Sequence, residues 1–182
     1  KSNNNLMILF KKKIECKEFG KILGNIILEQ AESYMNVLDE FEEELGTIDK
    51  QKFFGGLLVI GSFCPKLCYE VSNLLKLPSS GLVRDFEKTQ YTFAINRGVN
   101  QLIHPKISKI FNIEENEVYK FVYQVDQRFT KDLKEINFFD MEDFDSKSKD
   151  ILTKHISKLI YGESRDNKQL SNILDSFFHN TH

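Results

Sequence analysis

The chain has 182 residues, of which 41% are hydrophobic and 29% are charged, and its formal net charge is −2. These values predict one folded domain with its own core and exclude a disordered chain. Without an excess of positive charge to attract a phosphate backbone, nucleic-acid binding is not expected.

Residues 1–13, KSNNNLMILFKKK, show no regular hydrophobic period and are predicted to form a flexible arm ahead of one all-helical domain at 14–182. The lysines follow the apolar run, whereas a secretion signal places its positive charge first. An apolar run beside lysines can touch an anionic membrane surface, and this peripheral contact is the alternative role of the arm. No run is long enough to predict a membrane-spanning helix.

A long first helix is predicted at residues 15–45, because small and apolar residues recur at alternating spacings of four and three, with Phe19, Leu23 and Ile26 widening the face at its start. Gly46 is the predicted C-terminal cap. The strictest part of the pattern is a predicted interaction face formed by Ile27, Ala31, Tyr34, Leu38, Phe41 and Leu45. Such a seam can lie along a second helix, so it predicts a protein partner or self-association as a homodimer. Packing inside the chain's own domain is the alternative.

A second helix is predicted at residues 50–63, with Asp49 as its N-cap. It is apolar nearly all round and is therefore predicted to be the buried centre of the fold. Gly55, Gly56 and Gly61 weaken it as an isolated helix, and the run LLVI is also compatible with a strand. We predict a helix because the chain has no second strand-like segment to pair with it.

The stretch FCPKLCYE places Cys64 and Cys68 on either side of Pro65, which is predicted to open a third helix ending at Leu77. A helix start accounts for this spacing, whereas a thioredoxin-like pair has two intervening residues. A structural zinc site needs four ligands, and the only other cysteine is Cys16. We expect no metal and no cofactor. An odd number of cysteines predicts reduced thiols and a cytoplasmic location, without deciding whether the two are redox-active.

A fourth helix is predicted at residues 82–103, ending before Pro105. Its predicted inward residues are Phe86, Phe93, Ala94, Val99 and Leu102. Asn112 and Glu115 then form a capping-box pattern at the start of a fifth helix. The apolar stripe of that helix is Val118, Phe121, Val122, Val125, Phe129 and Leu133.

The acidic segment at residues 137–149 is predicted to be a loop that caps the next helix. It lacks the central Gly and the final Glu of a calcium-binding EF-hand loop. Two further helices are predicted, at residues 151–161 with Gly162 as the cap and at residues 170–178.

No catalytic motif is present, and no histidine has the Glu three residues before it that a di-iron bundle requires. A ligand site would therefore have to be assembled from residues distant in sequence. The candidates for a ligand-binding pocket are His155, Arg97, Arg128, Tyr91 and Tyr123.

Together these patterns predict an all-α, single globular domain of about seven helices, with one long N-terminal helix and a buried, Gly-containing central helix. The leading functional hypothesis is an intracellular, non-enzymatic domain that binds other protein chains. The alternative is a small-molecule-binding helical bundle, or an enzyme whose site is assembled only in three dimensions.

Overall fold

A computed structural model describes residues 2–40, 48–67, 85–137, 140–162 and 170–171. Five helices lie entirely in these ranges: α1 (Ser2–Glu40), α2 (Lys50–Ser62), α3 (Asp85–Phe111), α4 (Glu115–Leu133) and α5 (Met141–Tyr161). The same ranges contain no β-strand, and the predicted all-α, single-domain fold is confirmed. The helices predicted at 65–77 and 170–178 lie mostly outside the described residues.

The first helix begins earlier than predicted, because α1 is continuous from Ser2 to Glu40. The backbone of residues 2–13, predicted as a flexible arm, therefore belongs to that helix. The division of the chain into arm and domain stays a prediction. The expected helix end at Gly46 lies outside the described residues.

Helix α2 forms the predicted buried centre of the domain. The Asp49 carboxylate accepts a hydrogen bond from the backbone N–H of Lys52 at 3.0 Å, which confirms the predicted N-cap. Phe53, Leu58 and Val59 are fully buried. This helix is apolar on nearly all sides because other helices cover it on several sides.

The glycines of α2 allow three helices to approach it closely. A methyl group added at Gly61 would overlap the side chain of Ile27 in α1, and one added at Gly55 would lie 2.6 Å from the ring of Phe111 in α3. Gly56 faces α5 at ordinary contact distance. The residues that weaken α2 as an isolated helix are thus the ones that let its neighbours pack against it.

Helices α1 and α3 run parallel and form the closest helix pair of the described residues. A methyl group added at Gly20 would overlap the backbone carbonyl of Ile95, and one added at Gly98 would overlap a backbone oxygen of α1. Four residues further along α1, Gly24 lies against Val99. The contacts advance together along both helices, which shows that their directions are the same.

Helix α3 continues through Pro105 to Phe111, so the predicted end before this proline is wrong. The ring of Pro105 is exposed, while Ile103 and Ile107 on either side of it are fully buried. An internal proline costs about 3 kcal/mol through the hydrogen bond that it removes. Burial of the last apolar turns of α3 offsets this cost. Val99 is buried as predicted, whereas Phe93 is exposed.

The fifth predicted helix starts where expected, but its cap is different. Asn112 has a left-handed backbone with φ 51°, and Glu114 precedes the helix without a side-chain cap hydrogen bond, so the predicted capping box is wrong. The predicted apolar stripe of α4 is confirmed, because Val118, Val122, Val125 and Phe129 are buried and the other two members pack against the core.

The acidic segment predicted as a loop is helical from Met141 onward. The Asp140 carboxylate accepts from the backbone N–H groups of Glu142 and Asp143 at 3.1 and 3.2 Å. Acidic side chains in the first turn also interact favourably with the helix dipole, which explains why these residues start a helix. The predicted C-terminal cap is confirmed at Gly162, whose φ is 74°.

The core consists of two clusters that meet at α2. The larger cluster joins buried residues of α1 to α5, among them Leu58 and Val99, and the smaller one contains Leu38, Ile48, Phe53, Ile156, Ile160 and Leu170. Leu57 of α2 packs against both clusters. None of the helices described has both the length and the apolar character needed to cross a membrane.

Candidate functional site

The predicted interaction face of α1 is packed inside the domain over the part that the structure describes. Ala31 and Leu38 are 3% and 1% exposed, Ile27 contacts α2, and Tyr34 packs against the smaller core cluster. Phe41 and Leu45 lie outside the described residues. The four described members thus pack in the chain's own core. Packing inside the domain was the alternative to binding a partner that the sequence left open for this face.

A different face of α1 presents apolar side chains to solvent. Phe19, Ile22 and Ile26 are 55%, 58% and 48% exposed. Their spacings of three and four residues place them in line on one side of the helix. We call these three residues the α1 outer stripe. Phe19 and Ile26 were predicted to widen the buried face, and this is wrong; only Leu23 packs against the core.

An open cleft of about 290 Å³ lies at the N-terminal end of this stripe, between α1 and α3. It is lined by Glu15, Cys16 and Phe19 of α1 and by Tyr91 of α3. Phe19 therefore belongs both to the stripe and to the cleft wall. The lining combines two aromatic rings with one carboxylate, a chemistry that suits a long side chain with an apolar stem and a cationic end.

Carboxylates follow one edge of the stripe. Glu15 and Glu18 each precede a stripe residue by four positions and Glu29 follows Ile26 by three, which places all three on the stripe's side of the helix. All are exposed. Lys21 pairs with Glu18 at 2.8 Å, whereas none of the cations from residue 15 onward whose side chains the structure describes pairs with Glu15 or Glu29. We call these three glutamates the acidic flank.

Of the five residues predicted to form a ligand-binding pocket, Tyr91 is the one that lines the cleft described above. Arg97 lies exposed elsewhere on α3. Tyr123 is half exposed on α4, where its ring stacks on that of Tyr119 with centroids 6.3 Å apart.

The other two candidates, Arg128 and His155, lie near each other: burial is the main cause that lowers the pKa of the His155 imidazole, and the Arg128 charge adds a smaller lowering. Arg128 is exposed and its Nε donates to the carbonyl oxygen of Gln124 at 3.1 Å. Neither of these two residues lines the cleft.

His155 is buried, with 4% of its surface exposed, and it joins α5 to α4. Its Nε2 lies 2.9 Å from Asp132 Oδ2, and Lys154 Nζ donates to the same oxygen at 2.8 Å. Burial lowers the pKa of His155, and the hydrogen bond with Asp132 only partly opposes this. Burial raises the pKa of Asp132, but its two hydrogen bonds outweigh this and lower it.

A buried carboxylate on α4 was missed by the sequence reasoning. Asp126 is 4% exposed, forms an ion pair with Lys66 beyond the end of α2, and accepts from Thr130 Oγ1 at 3.0 Å. Both Asp126 and Thr130 fall on the register of the apolar stripe that contains Val118 and Val122. A polar residue at a position where the apolar stripe continues indicates a buried polar group that needs a partner, and this pattern could have identified both residues from the sequence.

The described residues hold no group of three or more His, Cys, Asp or Glu side chains arranged for a metal ion. Cys64 is half-buried, and Cys68 lies outside the described residues. A comparison with protein-family models gives no match, and comparisons with curated proteins and with solved structures give no significant match. The features of the described residues that bear on function are therefore the α1 outer stripe and the cleft between α1 and α3.

Proposed function

We propose that this chain is a non-enzymatic helical domain that binds another protein through the α1 outer stripe and the cleft beside it. The observation that supports this most directly is the exposure of Phe19, Ile22 and Ile26 in line on one helix. A single exposed apolar residue is common, whereas an aligned group is typical of a binding surface.

The energetic reason is the water-exposed apolar area of the stripe. Full burial of a Phe or Ile side chain contributes about 1.5–3 kcal/mol, so covering the exposed half of each stripe residue contributes about 1 kcal/mol. A partner that also fills the cleft gains further area around Phe19 and Tyr91. A two-turn surface of this kind suits one helix of a partner.

The alternative hypotheses have less support from the same surfaces. A small-molecule site or an enzyme site built from the predicted pocket residues would need them to converge, and of the five only Tyr91 lines the cleft. An intracellular, cytoplasmic setting is part of the proposal and rests on the odd number of cysteines in the sequence.

Photo-crosslinking tests the proposed function. A photoreactive amino acid at Ile22 should form an adduct with a partner protein in native extract, while the same amino acid at Gln101, an exposed residue of α3, should not. The adduct should be lost when Phe19→Asp and Ile26→Asp are added. Circular dichroism of that variant provides the control for folding. Identical adduct patterns at Ile22 and Gln101 would contradict the proposal.

A further inference from the structure

We infer that the partner segment is an amphipathic helix whose apolar residues cover the α1 outer stripe and whose flanking lysines or arginines pair with the acidic flank. This inference rests on the proposed function and adds the chemistry of the occupant. It is carried by the position of Glu15 and Glu29 on the stripe's side of α1, where no cation with a described side chain pairs with them, and by the cleft that contains Glu15.

The shape of the surface favours a helix. The stripe runs parallel to the axis of α1 over about two turns, because its residues are separated by three and then four positions. A second helix with apolar residues at the same spacing can lie along it at a shallow angle. Its flanking residues then come to lie over Glu15, Glu18 and Glu29.

The charges oppose a second copy of this chain as the occupant. In an antiparallel pair of α1 helices centred on Ile22, Glu15 of one copy lies opposite Glu29 of the other, and like charges repel. In a parallel pair the acidic flank meets the other edge of the stripe, where Cys16 and Gln30 are uncharged and the nearest lysine is Lys12, four residues before Cys16. Neither arrangement places a lysine opposite Glu29.

The lining of the cleft, at the N-terminal end of the stripe, also favours a cationic side chain. A lysine or arginine entering it places its aliphatic stem against Phe19 and Tyr91 and its cation near the Glu15 carboxylate. An anionic membrane surface would attract the lysines at 11–13 but would bring like charge against all three glutamates of the acidic flank. The same repulsion opposes a nucleic acid, so a cationic protein helix is the occupant that the charges favour.

A pair of synthetic helices tests the inference. The probe is an amphipathic peptide of about 20 residues with leucines at the stripe spacing and lysines on both flanks. The matched peptide has glutamates in place of the lysines. Fluorescence anisotropy with the full chain should show binding of the lysine peptide that weakens with added salt, and at least about tenfold weaker binding of the glutamate peptide.

Variants of the chain locate the binding. Glu15→Gln with Glu29→Gln should weaken the lysine peptide about tenfold and flatten its salt dependence. The matched control removes two exposed carboxylates elsewhere, Glu135→Gln with Asp150→Asn, and should leave binding unchanged. Equal binding of both peptides, or equal effects of the two double variants, would overturn the inference.

Other occupants give distinct results. Concentration-dependent dimers that are lost in Ile22→Asp would identify a second copy, and binding to vesicles of anionic lipid that is lost in the same variant would identify a membrane surface. Either result would overturn the inference. If the Ile22 crosslink captures a protein while the lysine peptide fails to bind, the inference fails and the proposed function stands. If the crosslink captures none, the proposed function itself fails.

Discussion

At the scale of single residues, three polar side chains, two buried and one half-buried, connect helices through a small number of hydrogen bonds and ion pairs. His155 and Asp132 join α5 to α4, and Asp126 joins α4 to the segment after α2 through Lys66. His155 and Asp126 are buried, and leaving a buried polar group unpaired costs more than a satisfied hydrogen bond contributes on balance. These residues therefore specify how the helices meet, and their loss should be measurable.

Replacing His155 with Gln should reduce the pH dependence of stability. Burial lowers the pKa of His155 in the folded state, so the unfolded chain binds more protons below the ordinary histidine pKa of about 6.5. The free energy of unfolding should therefore fall as the pH decreases from about 7 to about 5.

In His155→Gln this slope should be smaller, by at most about 1.4 kcal/mol per pH unit. Gln can still donate to Asp132. Burial also lowers the pKa of His104, so part of the slope should remain. Urea unfolding at several pH values measures the difference, and equal slopes in the two proteins would contradict the assignment.

Removing Lys66 should destabilise the domain more than removing both members of its ion pair. Lys66→Met leaves the Asp126 carboxylate, 6% exposed in its side chain, with Thr130 as its remaining described hydrogen-bond donor, at a cost of about 3 kcal/mol. Adding Asp126→Leu removes the buried charge and should recover much of that loss. A double-mutant cycle from urea unfolding tests this expectation, which additive losses would contradict.

At the scale of helices, glycines determine how closely the helices approach. Gly20 and Gly98 bring the backbones of α1 and α3 into contact, and Gly55 and Gly61 admit side chains of α3 and α1 against α2. Glycine costs about 1 kcal/mol within a helix relative to alanine. Tight packing between the helices offsets that cost in this domain.

Gly20→Ala should destabilise the domain by about 2–3 kcal/mol, because the new methyl group overlaps the Ile95 carbonyl and the backbone has to move. Gly56→Ala is the matched control. Its methyl group would lie 3.5 Å from Ile156, an ordinary contact, so the change should leave stability unchanged or raise it by up to about 1 kcal/mol. Thermal or urea unfolding distinguishes them, and similar effects at both positions would rule out the close approach of α1 and α3.

At the scale of the whole molecule, α1 serves the core and the surface with different faces. Ala31 and Leu38 belong to the two core clusters around α2, while the α1 outer stripe faces solvent. A substitution on one face should therefore affect folding and one on the other should affect binding.

Leu38→Asp should cost several kcal/mol and unfold the monomer, because it places a charge at a site that is 1% exposed. Ile22→Asp, at a site that is 58% exposed, should change stability by less than about 0.5 kcal/mol. Circular dichroism and light scattering at matched concentration compare the two variants. A folded Leu38→Asp monomer would mean that this face does not hold the core.

The sequence alone predicted those features that depend on residues close together in the chain. The Asp49 cap, the αL cap at Gly162, the apolar stripe of α4 and the all-α class were recognisable because capping and helical period are local properties. Only the tertiary structure showed that α3 continues past Pro105 and that Phe19 and Ile26 face solvent. Periodicity identifies apolar positions on a helix, but their burial depends on which neighbouring helix covers them. Here Gly20 and Gly24 bring α3 against one side of α1, and the outer stripe is left uncovered by the described helices.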